Sequence, residues 1–273
     1  MRFRKGLHVL LVIGALLVAS TMAMATEIDP FNIRPVVPCD GGNLGAGGCP
    51  DVNGNIAEPS LQTVLNKLDL GPIDVVNDQQ TAGVWQLPGS LAGLIGPMLK
   101  AEYAGYHNEN VFGLWTTYDT TVAPKTLAIF NGSANPGCAA SVYFYTNGDV
   151  GIAPSGPCVD GDVHTGTFSN SGIDPKFFGF YLDNSTLPNG HIFFTADQLN
   201  IGGDPQALTY RAAASDTWVI AFEDLPYAGA DRDFQDQVVT VESIVPVPEP
   251  GTLTLLGTGL IGLAGLVRRK FKK

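Results

Sequence analysis

Turn dipeptides cut most of this chain into short apolar runs, and that pattern excludes long helices over the same stretch. The runs are Val111–Thr117, Thr126–Phe130, Ala140–Tyr145, Phe177–Leu182, His191–Thr195, Ala207–Arg211, Trp218–Phe222 and Gln237–Val241. Most begin 10–20 residues apart, and Asn131-Gly132, Asn147-Gly148, Asn189-Gly190 and Gly202-Gly203 fall between them. Runs this short suit strands, because a helix needs ten or more residues to bury a stripe. Asn-Gly supplies the positive φ angles of a tight hairpin. Tyr143 and Tyr145 alternate with Val142 and Phe144, the period of two expected of a sheet with two distinct faces. Glycine and proline, 33 and 19 of 273 residues, exceed the usual ~12%. We expect an all-β fold, a sandwich or jelly-roll-like pair of antiparallel sheets over residues 60–244, with one or two short helices.

Ser60–Leu70 reads as the first of those helices. Ser60 can cap it, Leu61, Val64, Leu65 and Leu68 share a face, and Gly71-Pro72 stops it. Leu91–Leu99 is the candidate for a second, although Gly93, Gly96 and Pro97 weaken it. Residues 26–59 read as an irregular segment, with Pro30, Pro35, Pro38, Pro50, Pro59 and a glycine-rich run over 41–48. Asp51-Val52-Asn53-Gly54-Asn55 starts like a calcium loop. Ile56 and Gln62 then stand where such a loop requires Gly and Glu, so we read a turn.

The two ends read as addresses. Met1–Gly6 is basic, Leu7–Ala19 is apolar and Ala23-Met24-Ala25 gives a small-x-small site. We expect residues 1–25 to be a cleaved secretory signal. Gly251–Val267 carries no charge over 17 residues, and Arg268-Arg269-Lys270-Phe271-Lys272-Lys273 follows. That length can span a bilayer, with the basic end cytoplasmic and the body outside. Gly257-Thr258-Gly259-Leu260-Ile261-Gly262 matches a dinucleotide-binding pattern. It lacks the strand, helix and distant acid such a site needs, so these glycines read as membrane-helix packing residues. Pro248-Glu249-Pro250 stands just before the span.

Residues 245–273 thus hold a Pro-Glu-Pro motif, an apolar span and a basic tail in that order, and they resemble the PEP-CTERM sorting signal of Gram-negative bacteria. The resemblance implies processing by exosortase, a membrane protease, near Pro248, Glu249 and Pro250. It also implies transient inner-membrane anchoring through residues 251–267, with the C-terminus cytoplasmic, before delivery to the cell envelope or beyond. A proline-flanked site stays extended and open to cleavage.

Between residues 26 and 247 there are 7 basic and 25 acidic residues, a net charge of −18. A body this acidic excludes nucleic acid as a partner and favours cations. All four cysteines, Cys39, Cys49, Cys138 and Cys158, lie in this body. An even count in an oxidising compartment favours disulfides. The sequence-local pairing, Cys39 with Cys49 and Cys138 with Cys158, is preferred among three. No CxxC spacing supports zinc.

The densest acidic stretch is Glu223-Asp224-Leu225-Pro226-Tyr227-Ala228-Gly229-Ala230-Asp231-Arg232-Asp233-Phe234-Gln235-Asp236. It lies between two expected strands, and Pro226 and Gly229 should fold its halves together. Glu223, Asp224, Asp231, Asp233 and Asp236 would then repel one another, with Arg232 as the only basic residue among them. A hard cation such as Ca²⁺, taking six to eight oxygens at ~2.4 Å, would resolve that repulsion. A solvated acidic loop is the alternative.

Residues 221–239 also resemble the closing signature of domain of unknown function 4114. Further pieces are Glu102-Tyr103-Ala104-Gly105-Tyr106, Asn110-Val111-Phe112-Gly113, Ile129-Phe130 and Phe178-Gly179-Phe180-Tyr181-Leu182. The likeness spans roughly residues 60–244. It implies an exported bacterial module of the kind found in calcium-dependent adhesins, and it implies no catalytic activity. Gln235-Asp236 stands where that family often has Asn-Asp.

No GxSxG, HExxH or phosphate-binding loop is present, and Asp162 and His164 near Ser169 fit a polar hairpin. Asn131-Gly132-Ser133 and Asn184-Ser185-Thr186 match a glycosylation pattern but read as turns. We expect a non-enzymatic surface or matrix protein, stabilised by Ca²⁺ and associated with exopolysaccharide. The alternative is a carbohydrate-binding module using exposed aromatics such as Trp85, Trp115 and Tyr118. A secreted hydrolase comes third.

Overall fold

The computed structural model describes residues 27–39, 59–89, 92–103, 107–188, 190–212 and 216–247. The expected signal segment, the 51–55 turn, Cys49, Pro248-Glu249-Pro250 and the 251–267 span with its basic tail lie outside the described residues. No helix among the described residues is long and apolar enough to cross a membrane.

The apolar runs form strands as their spacing predicts. In chain order they are β1 (Trp85–Gln86), β2 (Gly93–Glu102), β3 (Val111–Thr116), β4 (Lys125–Phe130), β5 (Ala140–Phe144), β6 (Val150–Pro154) and β7 (Gly166–Phe168). They continue with β8 (Gly179–Asp183), β9 (Ile192–Phe194), β10 (Ala207–Arg211), β11 (Trp218–Phe222), β12 (Gln237–Glu242) and β13 (Val245–Pro246). Seven pair in the order β10-β11-β12-β2-β5-β6-β7, four in the order β4-β3-β8-β9, and β1 pairs with β13. All of the pairs are antiparallel.

The two larger sheets face each other across one apolar core. Phe112, Leu114, Phe180 and Leu182 of the four-stranded sheet meet Ile95, Leu99, Val142, Ile220, Phe222 and Val239 of the seven-stranded sheet. Phe112 stacks on Phe180 at 5.5 Å and meets Phe222 edge-on at 6.2 Å, the arrangements aromatic quadrupoles favour. The fold is therefore the expected all-β sandwich.

The outer face of the seven-stranded sheet is covered at one end. There the helix α1 (Leu61–Asn66) and Ile73, Val75 and Phe234 pack on Leu208, Tyr210, Val219, Ala221 and Val238. Every residue of β11 is consequently buried. Over β5 the same face is open: Tyr143 and Tyr145 are exposed while Val142 and Phe144 are buried. The Asn147-Gly148 hairpin joins β5 to β6, with Gly148 at φ 88°, a conformation that costs glycine little.

Several expectations change. Leu91–Leu99 is not a helix; its residues belong mostly to β2, where burial alternates from Ile95 onward. Gly93, Gly96 and Pro97 oppose a helix, while the apolar residues keep a period of two. The Ser60 helix forms with its cap, Ser60 Oγ accepting from Thr63 N at 3.3 Å, but it ends at Asn66 rather than Leu70. Asp69 at φ 54° and Gly71 at φ 86° turn the chain there.

Trp85 and Trp115 are not surface platforms, since both are fully buried. Trp85 sits in the main core. Trp115, on the outer face of the four-stranded sheet, is covered together with Tyr181 and Phe194 by Ile28 and Val84. Of the three named aromatics only Tyr118 is exposed.

Cys138 and Cys158 form a disulfide, and Cys39 is disulfide-bonded too. Asp162 does not pair with His164. It accepts from Ser133 Oγ at 3.1 Å and Val159 N at 2.8 Å, while His164 stacks on Phe168.

Candidate metal centre

The acidic loop links β11 to β12, neighbours in the seven-stranded sheet, at the end where α1 covers the outer face. Glu223 N donates to Gln206 O at 3.1 Å and so prolongs the β10–β11 pairing into the loop. Pro226 O then accepts from Gly229 N and Ala230 N at 2.8 and 3.1 Å, which closes the expected turn. Phe234 anchors the returning arm in the outer core, and Arg232 O accepts from Cys39 N at 2.8 Å. Arg232 and Phe234 take φ angles of 61° and 56° on either side of Asp233. Left-handed backbone at non-glycine residues costs on the order of 1 kcal/mol or more each, so the loop is held by its surroundings.

This loop is not the solvated one of the alternative reading. Glu223, Asp224, Asp233 and Asp236 are buried and Asp231 is half-buried. Carboxylate oxygens of Glu223, Asp231 and Asp233 lie within 4.8 Å of one another, as do those of Glu223, Asp224 and Asp236. The turn thus brings all five into two overlapping groups with Glu223 in both.

Hydrogen bonds satisfy part of this charge. Asp236 Oδ2 accepts from Asp224 N at 2.8 Å, and Asp233 Oδ2 accepts from Gln235 Nε2 at 2.6 Å. Asp224 Oδ2 accepts from Asn110 Nδ2 at 3.0 Å. Glu223 Oε1 accepts a longer bond from Leu225 N at 3.3 Å, and its Oε2 meets no donor. The neighbouring amide oxygens Asn110 Oδ1, Gln206 Oε1 and Gln237 Oε1 also accept nothing. A buried oxygen without a donor costs roughly 1–3 kcal/mol, and more when charged.

The electrostatics follow from the burial. Desolvation pushes Glu223 well above the ordinary carboxylate range, and the charges of Asp231 and Asp233 add to it. A side-chain hydrogen bond shared with Asp236 opposes the shift only in part. Asp236 is pushed the same way, first by burial and then by Glu223, Asp224 and Asp233. Glu102, opposite Gln237 on β2, is raised to about 8 by burial and by the charge of Asp224. Its Oε1 accepts from Gln237 Nε2 at 3.4 Å.

An all-oxygen, mostly carboxylate donor set without sulfur or imidazole suits hard cations such as Ca²⁺, Mg²⁺ or Mn²⁺. Residues from other elements close the site. Asn110 precedes β3, and Asn184, after β8, donates from Nδ2 to Asp224 O at 2.7 Å. Gln206 Nε2 donates to Leu225 O at 2.8 Å. Asn184 is therefore a buried tie and no glycosylation acceptor. Glu102 and Asn110 had a sequence signal, since both fall in the pieces resembling domain of unknown function 4114, although neither was given a role. Asn184 and Gln206 had none.

The comparisons with known proteins concern the tail. The PEP-CTERM protein-sorting motif matches residues 246–270. No curated protein and no solved structure matches the chain. The match does not reach residues 60–244, and the likeness to domain of unknown function 4114 is not confirmed. The acidic, disulfide-bonded β-sandwich thus leads into a PEP-CTERM sorting motif, and that motif supports an exported protein sorted by exosortase.

Proposed function

We propose that this protein is a non-enzymatic structural or adhesive module of the cell surface or extracellular matrix, stabilised by Ca²⁺ bound in the 223–236 loop and associated with exopolysaccharide. The observation that carries the reading is Glu223, a fully buried carboxylate with an oxygen that meets no donor, shared by two carboxylate groups. Unneutralised, the five acids of this loop oppose its closure. A bound cation would turn that repulsion into a clamp joining the β11 and β12 ends with Asn110 and Asn184. A module that needs calcium to stay closed suits the exterior, where calcium is plentiful, and the sorting tail sends the protein there.

The experiment is matrix retention. Cells producing the native protein are washed with calcium buffer or with chelator, beside cells producing Asp233→Ala/Asp236→Ala. The reading predicts that chelator releases the native protein and that the variant is lost already in calcium. Equal retention in all arms would overturn it. Release by soluble oligosaccharide with calcium present would favour the carbohydrate-binding alternative, whose exposed aromatics among the described residues are Tyr118, Tyr143 and Tyr145.

A further inference from the structure

We infer that the acidic loop binds two divalent cations bridged by the Glu223 carboxylate, an inner ion on Glu223, Asp224 and Asp236 and an outer ion on Glu223, Asp231 and Asp233. This rests on the cation reading above and adds stoichiometry, ligand assignment and order of exchange to it.

Oxygens bound to one Ca²⁺ at ~2.4 Å lie at most about 4.8 Å apart, across the ion. Each of the two groups meets that limit, and the groups share only Glu223. A carboxylate with two oxygens can serve an ion on each side. The loop holds five carboxylates and one guanidinium. A single divalent cation leaves it at a formal −2 in a largely buried place, and two cations leave it neutral. Buried charge of that size is costly.

Asn110 is fully buried, and its Nδ2 donates to Asp224 Oδ2 of the inner group, which holds the amide against it. Its Oδ1 accepts no hydrogen bond. A neutral amide oxygen held beside a carboxylate group is a common cation ligand. Asn110 thereby adds a ligand from a segment remote in sequence.

The two positions differ in access. All three inner carboxylates are buried, and Asn184 secures Asp224 through its backbone oxygen. The outer group includes the half-buried Asp231. The inner ion should therefore exchange slowly and the outer ion quickly.

The test counts ions. Full-length protein in detergent is stripped with chelator, dialysed against Ca²⁺ and assayed for bound metal, with calorimetric titration alongside. The expected result is two Ca²⁺ per chain, falling to one in Asp231→Asn, with the remaining affinity changed less than about threefold. Asn110→Leu should weaken the tighter of the two sites at least tenfold and spare the other. Circular dichroism checks that each variant is folded, and the wild-type count stands without any variant. One ion in the wild type overturns the bridged pair and leaves the single-cation reading intact. Two ions in both wild type and Asp231→Asn overturn the outer assignment. No bound ion overturns this inference and the cation reading together.

Discussion

Asp162 and Glu223 are both buried carboxylates at connections of the same sandwich, and the chain treats them differently. Asp162 lies in the segment between β6 and β7, near the Cys138–Cys158 disulfide. Both of its oxygens accept hydrogen bonds, one from Ser133 Oγ and one from Val159 N. Glu223 has one long bond from Leu225 N, a side-chain hydrogen bond shared with Asp236, an Oε2 that meets no donor and four acids around it. The first connection is closed by bonds the chain supplies itself. The second gathers carboxylates and leaves Glu223 Oε2 without a donor. Native proteins pair buried polar groups almost without exception, and this contrast is what supports the cation reading proposed for the 223–236 loop.

The comparison can be broken at several points. The largest effect should come from Cys138→Ser/Cys158→Ser. With the cysteines 20 residues apart, loss of the cross-link should cost about 3 kcal/mol. Thermal melting should show a fall of roughly 6–12 °C, the same in calcium and in chelator. Asp162→Ala comes next. It strands two donors and should cost about 1–3 kcal/mol, again independent of calcium by the same assay.

Glu223→Gln should act with the opposite sign. Glutamine cannot take on the charge that burial and the neighbouring acids oppose, so at a pH where Glu223 would ionise it should stabilise the chelated protein by about 1 kcal/mol and weaken its response to calcium. A variant less stable than wild type in chelator would mean that the loop satisfies Glu223 by itself, and the contrast with Asp162 would fail.

The smallest effect is a pH slope. In the folded protein Glu102 holds its proton until about pH 8, against 4.5 for an ordinary glutamate. Between those values the folded state binds a proton that the unfolded state has released, so stability falls as pH rises through the window. Its contribution is complete below about pH 4.5 and lost above about pH 8. Glu223 and Asp236, raised for similar reasons, slope the same way. Urea midpoints at pH 5 and pH 8 in chelator should show the decline, and Glu102→Gln should flatten part of it.

Much of this was legible in the sequence, and the failures have physical causes. Ala207–Arg211 and Trp218–Phe222 form strands over the expected residues, because uninterrupted β-branched and aromatic runs leave little else for the chain to do. β6 and β7 were hidden in the widest gap between runs. Val150-Gly151-Ile152-Ala153-Pro154 is apolar but carries Gly and Pro, and Gly166–Phe168 is too short to show a period. β2 was misread because its glycines and proline obscured the alternation that begins at Ile95.

The tryptophans failed for another reason. Trp115 alternates correctly for an outward face, but Ile28 and Val84 cover that face, and nothing near Trp115 in the sequence announces them. The acidic loop was legible because its five carboxylates are local. Asn184 and Gln206 were not, and the places of Asn110 and Glu102 in the quoted pieces did not tie them to the loop, because tertiary structure brings all four in from other parts of the chain.

The central claim is that a divalent cation completes the 223–236 loop. The most direct measurement is thermal melting of the purified protein in saturating calcium and in chelator, beside Asp233→Ala/Asp236→Ala. At 100 times the dissociation constant a bound ion adds ~2.7 kcal/mol, which predicts a rise of roughly 5–10 °C in calcium that is absent in the variant. Identical melting in calcium and chelator, or a rise the variant retains, would contradict the account.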